Sequence, residues 1–159
     1  MNIDIIAVGK IKESYLTEGI KEYQKRLSPY CNLRIIEVSE EKAPENLSDK
    51  EKQQVLEREG NSILKKINPS SFVIPLCVEG KSLTSEEMAK TLSDLMVNGK
   101  SHITFIIGGS LGLSDEVKAR GDLSLSFSRF TFPHQLMRLI LLEQIYRWFK
   151  IIRGEVYHK

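Results

Sequence analysis

Two stretches of this 159-residue chain hold residue types and spacings suited to chemistry. In the first, Thr104-Phe105-Ile106-Ile107-Gly108-Gly109-Ser110-Leu111-Gly112, an apolar strand-like run stops at a glycine-rich loop. Glycines at a strand end let backbone come close to a ligand, since no Cβ intervenes and positive φ is allowed. The second, Phe127-Ser128-Arg129-Phe130-Thr131-Phe132-Pro133-His134, mixes aromatic rings with hydroxyls and a cation, and places a histidine where a long helix begins. Together they suit an apolar slot lined with backbone N–H and C=O groups. Such a slot accepts a neutral adenine with a cationic sulfonium better than a triphosphate.

The competing chemistries fail on spacing. A phosphate loop of the P-loop type needs Lys-Ser/Thr after its last glycine, but Gly112 is followed by Leu113-Ser114. A dinucleotide fingerprint needs Gly-x-Gly-x-x-Gly early in the chain and an acid about 20 residues on. Here the pattern is Gly-Gly-x-x-Gly, late in the chain, and position 128 is serine. His102, His134 and His158 are scattered, and neither His-x-x-x-His nor Cys-x-x-Cys occurs, so no metal site is expected. Gly109-Ser110-Leu111-Gly112 is not a nucleophile elbow.

The elements that must position these stretches follow from periodicity. Apolar runs predict strands over Ile3–Val8, Asn32–Val38, Phe72–Val78, Ile103–Ile107 and Leu123–Ser126. Pro75 demotes the third to an edge or a strand end. Helical spacing predicts helices over Tyr15–Leu27, Ser48–Ile67, Thr84 or Ser85 to about Val97, Ser114 to about Arg120, and Gln135–Arg153. Ser48 with Glu51 reads as a capping box. Ser39–Asn46, charged and holding a proline, reads as a loop. Strict strand–helix alternation means an α/β fold with a mostly parallel sheet flanked by helices, and residues 1–159 read as one domain. Both chemical stretches follow strands, so both are expected at the carboxyl edge of the sheet.

The last helix is apolar around most of its circumference, with Glu143, Arg147 and Lys150 on one narrow stripe. That girth predicts burial on two sides, by the sheet and by a second copy in a homodimer. The net charge of +2 is unevenly spread. Residues 10–34 carry +3, residues 129–159 carry +4 and the intervening 35–128 carry −4, which permits an anionic partner such as RNA. Cys31 and Cys77 are two isolated thiols, expected as reduced core fillers of a cytoplasmic protein. No leader segment or membrane span is expected.

Ile106-Ile107-Gly108-Gly109, Leu123-Ser124-Leu125-Ser126, Thr131-Phe132-Pro133-His134-Gln135-Leu136-Met137-Arg138 and Glu143-Gln144-Ile145-Tyr146-Arg147 together resemble the SPOUT-class RNA methyltransferases. The opening Ile6-Ala7-Val8-Gly9-Lys10-Ile11-Lys12 and the ending Tyr157-His158-Lys159 extend the resemblance end to end. It implies a C-terminal deep trefoil knot, a rare exception to chain topology. It also implies S-adenosylmethionine as cofactor, an obligate homodimer, and methylation of N3 of pseudouridine 1915 in 23S rRNA on the assembled ribosome. Matching positions place the cofactor on Leu76, Gly108 and the run Phe127, Ser128, Arg129, Phe130, Thr131 and Phe132. They place His134, Arg147, Tyr157 and His158 near the target base. His134, Tyr157 or His158 as a general base, or Arg147 as a nearby cation, would each favour loss of the N3 proton. A ribosome-binding protein that keeps the fold without catalysis is the alternative.

Overall fold

The computed structural model describes residues 1–42 and 44–159. Its elements are β1 (Asn2–Val8), α1 (Ser14–Leu27), β2 (Asn32–Val38), α2 (Asp49–Lys66), β3 (Phe72–Ser82), α3 (Ser85–Val97), β4 (His102–Ile107), α4 (Asp115–Arg120), β5 (Leu125–Ser126) and α5 (His134–Ile152). The loop expected over Ser39–Asn46 includes residue 43, which lies outside the described residues.

The five strands form one sheet in the order β2-β1-β4-β3-β5, and every pairing is parallel. Side chains alternate between its faces. Ile3, Ile5 and Ala7 of β1 join Ile103, Phe105 and Ile107 of β4 in a core shared with α1, α3 and α5. Ile6, Val8 and Ile106 point the other way, into a smaller core with Ile63 of α2 and Val117 of α4. Strands buried on both faces read as unbroken apolar runs, which is why β1 and β4 are plain in the sequence.

Helix starts are fixed by side chains. Ser48 and Glu51 form the expected capping box on α2, and Thr84 with Glu87 forms a second on α3. Ser114 caps α4 by accepting from the Val117 N–H.

Two features differ from the sequence reading. Pro75 does not put β3 at an edge, for β3 lies between β4 and β5. Backbone N–H groups alternate sides along a strand. Val73 N donates to Asp122 Oδ2 at 2.8 Å, on the side away from β4, and Pro75 presents the same side two residues on. Pairing with β5 begins only at Leu76, so the missing N–H falls where no strand needs it. The fifth strand is also shorter than Leu123–Ser126, because the N–H groups of Asp122 and Leu123 turn to the Val73 carbonyl instead.

Helix α5 lies between α1 and α3. Gly19 of α1 lets the helices approach closely: a Cβ there would sit 3.0 Å from Leu139 Cδ2. The chain's own helices therefore cover both flanks of α5, accounting for part of the apolar girth assigned above to a second copy. Leu136, Met137, Leu139 and Ile140 remain half-buried.

At the amino ends of the strands, buried Asp4 takes two hydrogen bonds from Arg34, each 2.9 Å, and lies 2.7 Å from His102 Nε2. The group ties β2, β1 and β4 together. Burial pushes the Asp4 carboxyl up, but the hydrogen bonds from Arg34 and His102 outweigh it and hold it below its ordinary value of 3.8. A depressed acid contributes stability above its unfolded pKa and loses it as pH falls through the folded one. Asp4→Asn is accordingly expected to cost about 1–2 kcal/mol near neutrality, at the low end because Arg34 is largely exposed. Urea titrations should show that gap closing below about pH 4; a gap unchanged down to pH 3 would assign the loss to packing.

Candidate functional site

The carboxyl ends of β3 and β4, with β5 and the start of α5, surround a cavity of about 280 Å³. Leu76, Gly108, Phe127, Ser128, Phe130, Thr131 and Phe132 all line it, and so does His134. Arg129 is not among the lining residues. Sequence reasoning did not assign Cys77, Val78, Glu79, Lys118 or Met137 to the site, and they complete much of its wall. Glu79 follows the apolar part of β3, and Lys118 stands one helical turn after the Ser114 cap.

The glycine loop owes its shape to contacts with itself. Gly112 N donates to Gly109 O at 3.1 Å, and Gly112 adopts φ +85°. A Cβ on Gly108 would lie 2.5 Å from Gly112 O and 2.7 Å from Gly112 C. The facing segment is pinned by short-range polar bonds. Ser126 Oγ donates to Ser128 O at 3.2 Å, and Phe130 N donates to Ser128 Oγ at 3.0 Å. Such side-chain-to-backbone bonds stabilise a non-repetitive turn. Phe127 packs edge-on against buried Trp148, while Phe130 stays 78% exposed at the rim.

Beside the cavity, several buried polar atoms have no partner among the described residues: Glu59 Oε1, His134 Nε2 and Arg138 Nε. Glu59 lies under the loop, where a Cβ on Gly109 would be 3.3 Å from its Oε1. Burial pushes its carboxyl up, the bond from the Glu41 N–H opposes this, and Glu40 and Glu41 add to the rise. His134 Nε2 is 4.0 Å from Glu40 Oε1. Arg138, one turn further along α5, is 2% exposed. It donates to Glu37 Oε2 at 2.6 Å and to Gly9 O at 3.2 Å, fastening α5 to the ends of β2 and β1.

The other expected site residues gather elsewhere. Arg147 donates to Glu143 Oε1 through Nε at 3.0 Å and Nη2 at 2.6 Å, and Tyr157 OH donates to the same oxygen at 3.2 Å. Arg147 Nη1 lies 3.1 Å from His158 Nδ1. A guanidinium can only donate, so Nδ1 accepts and the ring proton sits on Nε2, facing Glu86. Burial, a hydrogen bond with Tyr23 and the negative charge of Glu143 push the Tyr157 phenol well above its ordinary value. As placed, Tyr157 is a poor base at neutral pH. His134 and Arg147 are thirteen residues apart on one helix, roughly 20 Å along its axis. One chain therefore places His134 at the cavity and the Arg147–Tyr157–His158 group away from it.

Both cysteines are buried, and burial pushes Cys31 up to about 11 and Cys77 in the same direction. Among the described residues, no group of three or more His, Cys, Asp or Glu is placed to hold a metal ion. No described helix is long and apolar enough to cross a membrane.

A family model described as predicted SPOUT methyltransferase matches residues 1–158. The chain is 64% identical over 159 residues to a Clostridioides difficile protein named ribosomal RNA large subunit methyltransferase H, with all of both chains covered. It is 65% identical over 159 residues, again covering both chains fully, to the protein of that name from Carboxydothermus hydrogenoformans. Among solved structures, a probable methylase family protein from Haemophilus influenzae Rd KW20 matches with a TM-score of 0.55 at 12% identity. That match covers 99% of this chain and 70% of the other, and shows a shared fold.

Proposed function

The chain belongs to the SPOUT methyltransferase family, and from that premise we propose that it methylates large-subunit ribosomal RNA with S-adenosylmethionine as donor. The observation that carries this reading is identity of 64% across the whole length of a relative named for that activity. The finer assignment, N3 of pseudouridine 1915 in 23S rRNA on the assembled ribosome, follows the resemblance of the motifs.

The cavity suits such a donor. Apolar walls from Leu76, Phe127 and Phe132 fit a flat neutral base, and the glycine loop and the hydroxyls of Ser128 and Thr131 offer polar edges. When bound, the donor supplies an activated methyl group on a sulfonium, so transfer needs no metal and no covalent intermediate. The protein's task is mostly alignment, with removal of the N3 proton. Of the residues expected near the target base, His134 is the one that lines the cavity, and its imidazole would take that proton. Arg147 would then favour the N3 anion by charge. The roughly 20 Å between His134 and Arg147 supports a homodimer. Two copies can bring the His134 end of one and the tail of the other to a single base. The trefoil knot that the resemblance implies belongs to the same proposal, with Phe127–Phe132 as its cofactor-binding segment.

The direct test is mass mapping of modified nucleotides in 23S rRNA from cells with and without this protein. Loss of one methyl from a pseudouridine-containing fragment, restored by the purified protein with S-adenosylmethionine and ribosomes, is the expected result. An unchanged methylation pattern would overturn the substrate assignment.

A further inference from the structure

We infer that Glu79 and Lys118 receive the amino-acid arm of the methyl donor, its ammonium on Glu79 and its carboxylate on Lys118. The inference rests on the reading of the cavity as the donor site and assigns residues to the part of the donor that reading leaves open. The donor joins a neutral nucleoside and a zwitterionic aminobutyrate at the sulfonium. A zwitterion held against the protein is matched by one partner of each sign. Apart from the imidazole of His134, the charged side chains lining the cavity among the described residues are one carboxylate, Glu79, and one ammonium, Lys118.

Their placement fits the task. Glu79 lies near the carboxyl end of β3, and Lys118 reaches it from α4 with Nζ 2.6 Å from Glu79 Oε1. Helix α4 covers the opposite face of the sheet from α5. Lys118 and His134 thus come to the cavity from opposite faces, which separates the arm from the proton-removing end. Lys118 is 36% exposed and Glu79 63%, so neither charge is deeply desolvated. An ion pair this open is worth about 0–1 kcal/mol, so exchanging it for two pairs with the arm costs little. In the free protein the pair keeps both groups charged: the bond from Lys118 lowers the Glu79 carboxyl, and Glu79 raises the Lys118 ammonium.

The test is calorimetry on the full-length protein with three ligands: S-adenosylmethionine, its decarboxylated form, and 5′-methylthioadenosine, which lacks the arm. Lys118→Gln and Glu79→Gln are each expected to weaken S-adenosylmethionine about fivefold, the upper end for pairs this exposed. Both should leave 5′-methylthioadenosine within about twofold of wild type, allowing for small changes in packing. For the decarboxylated ligand, only Glu79→Gln should matter. Variants that bind S-adenosylmethionine like wild type, or lose 5′-methylthioadenosine equally, overturn the assignment of the arm. A wild-type protein that binds none of the three overturns the cavity reading itself, a separable outcome.

Discussion

Gly108→Ala is expected to lower S-adenosylmethionine affinity about a hundredfold, or ~3 kcal/mol, while the oligomeric state stays that of the wild type. A glycine at a strand end suggests room left for a ligand. The structure gives a nearer reason. A Cβ at 108 meets Gly112 O at 2.5 Å and Gly112 C at 2.7 Å before any ligand is considered. Backbone cannot yield as a flexible side-chain tip does, so the loop must move. With it moves the Gly112–Gly109 hydrogen bond and the wall facing Phe127–Phe132. Gly112→Ala is the informative comparison. A Cβ there meets nothing within 4 Å, and only the φ of +85° is strained, at about 1 kcal/mol. Calorimetry should therefore show a small loss for Gly112→Ala and a large one for Gly108→Ala. Equal losses would mean that backbone strain governs the site, and intact binding in Gly108→Ala would place the donor elsewhere.

How much of this was legible beforehand depends on the range of the interaction. Ile3–Val8, the Ser48–Glu51 box and the end of the third helix at about Val97 are local signals, and the structure has all of them. Pro75 misled because its cost depends on what lies beside it, and the late start of β5 is a long-range fact. The girth of α5 predicted burial by the sheet and by a second copy; the coordinates show it in the core with the sheet, with α1 and α3 on its flanks. The cavity residues on Phe127–Phe132 were legible because they are contiguous. Glu79 and Lys118 were not, being 39 residues apart and joined only by the fold. The separation of His134 from Arg147 was legible all along, since thirteen helical residues set their spacing.

Arg138 is where sequence and structure diverge most in energetic terms. It stands among apolar residues of α5, outside the charged stripe, and nothing local marks it as buried. Its guanidinium is nonetheless 2% exposed and joins α5 to Glu37 and to the Gly9 carbonyl. Arg138→Ala removes the pair and leaves a large void, and is expected to cost about 4 kcal/mol. For a chain of this size that lowers Tm by roughly 10 °C. Arg138→Met separates the two effects, because it fills most of the volume without the charge. It should cost about 2 kcal/mol, at the low end for a broken pair because Glu37 is 39% exposed and can turn to water. Glu37→Gln is the sharper comparison. It keeps an oxygen that can accept from Nη1 but removes the counter-charge from a buried guanidinium whose Nε has no partner among the described residues. The less exposed partner bears the larger desolvation penalty, so Glu37→Gln should destabilise at least as much as Arg138→Met even though residue 37 is the more exposed. Urea unfolding of Arg138→Met that matches wild type would show that packing alone fastens the helix and that the ion pair does not.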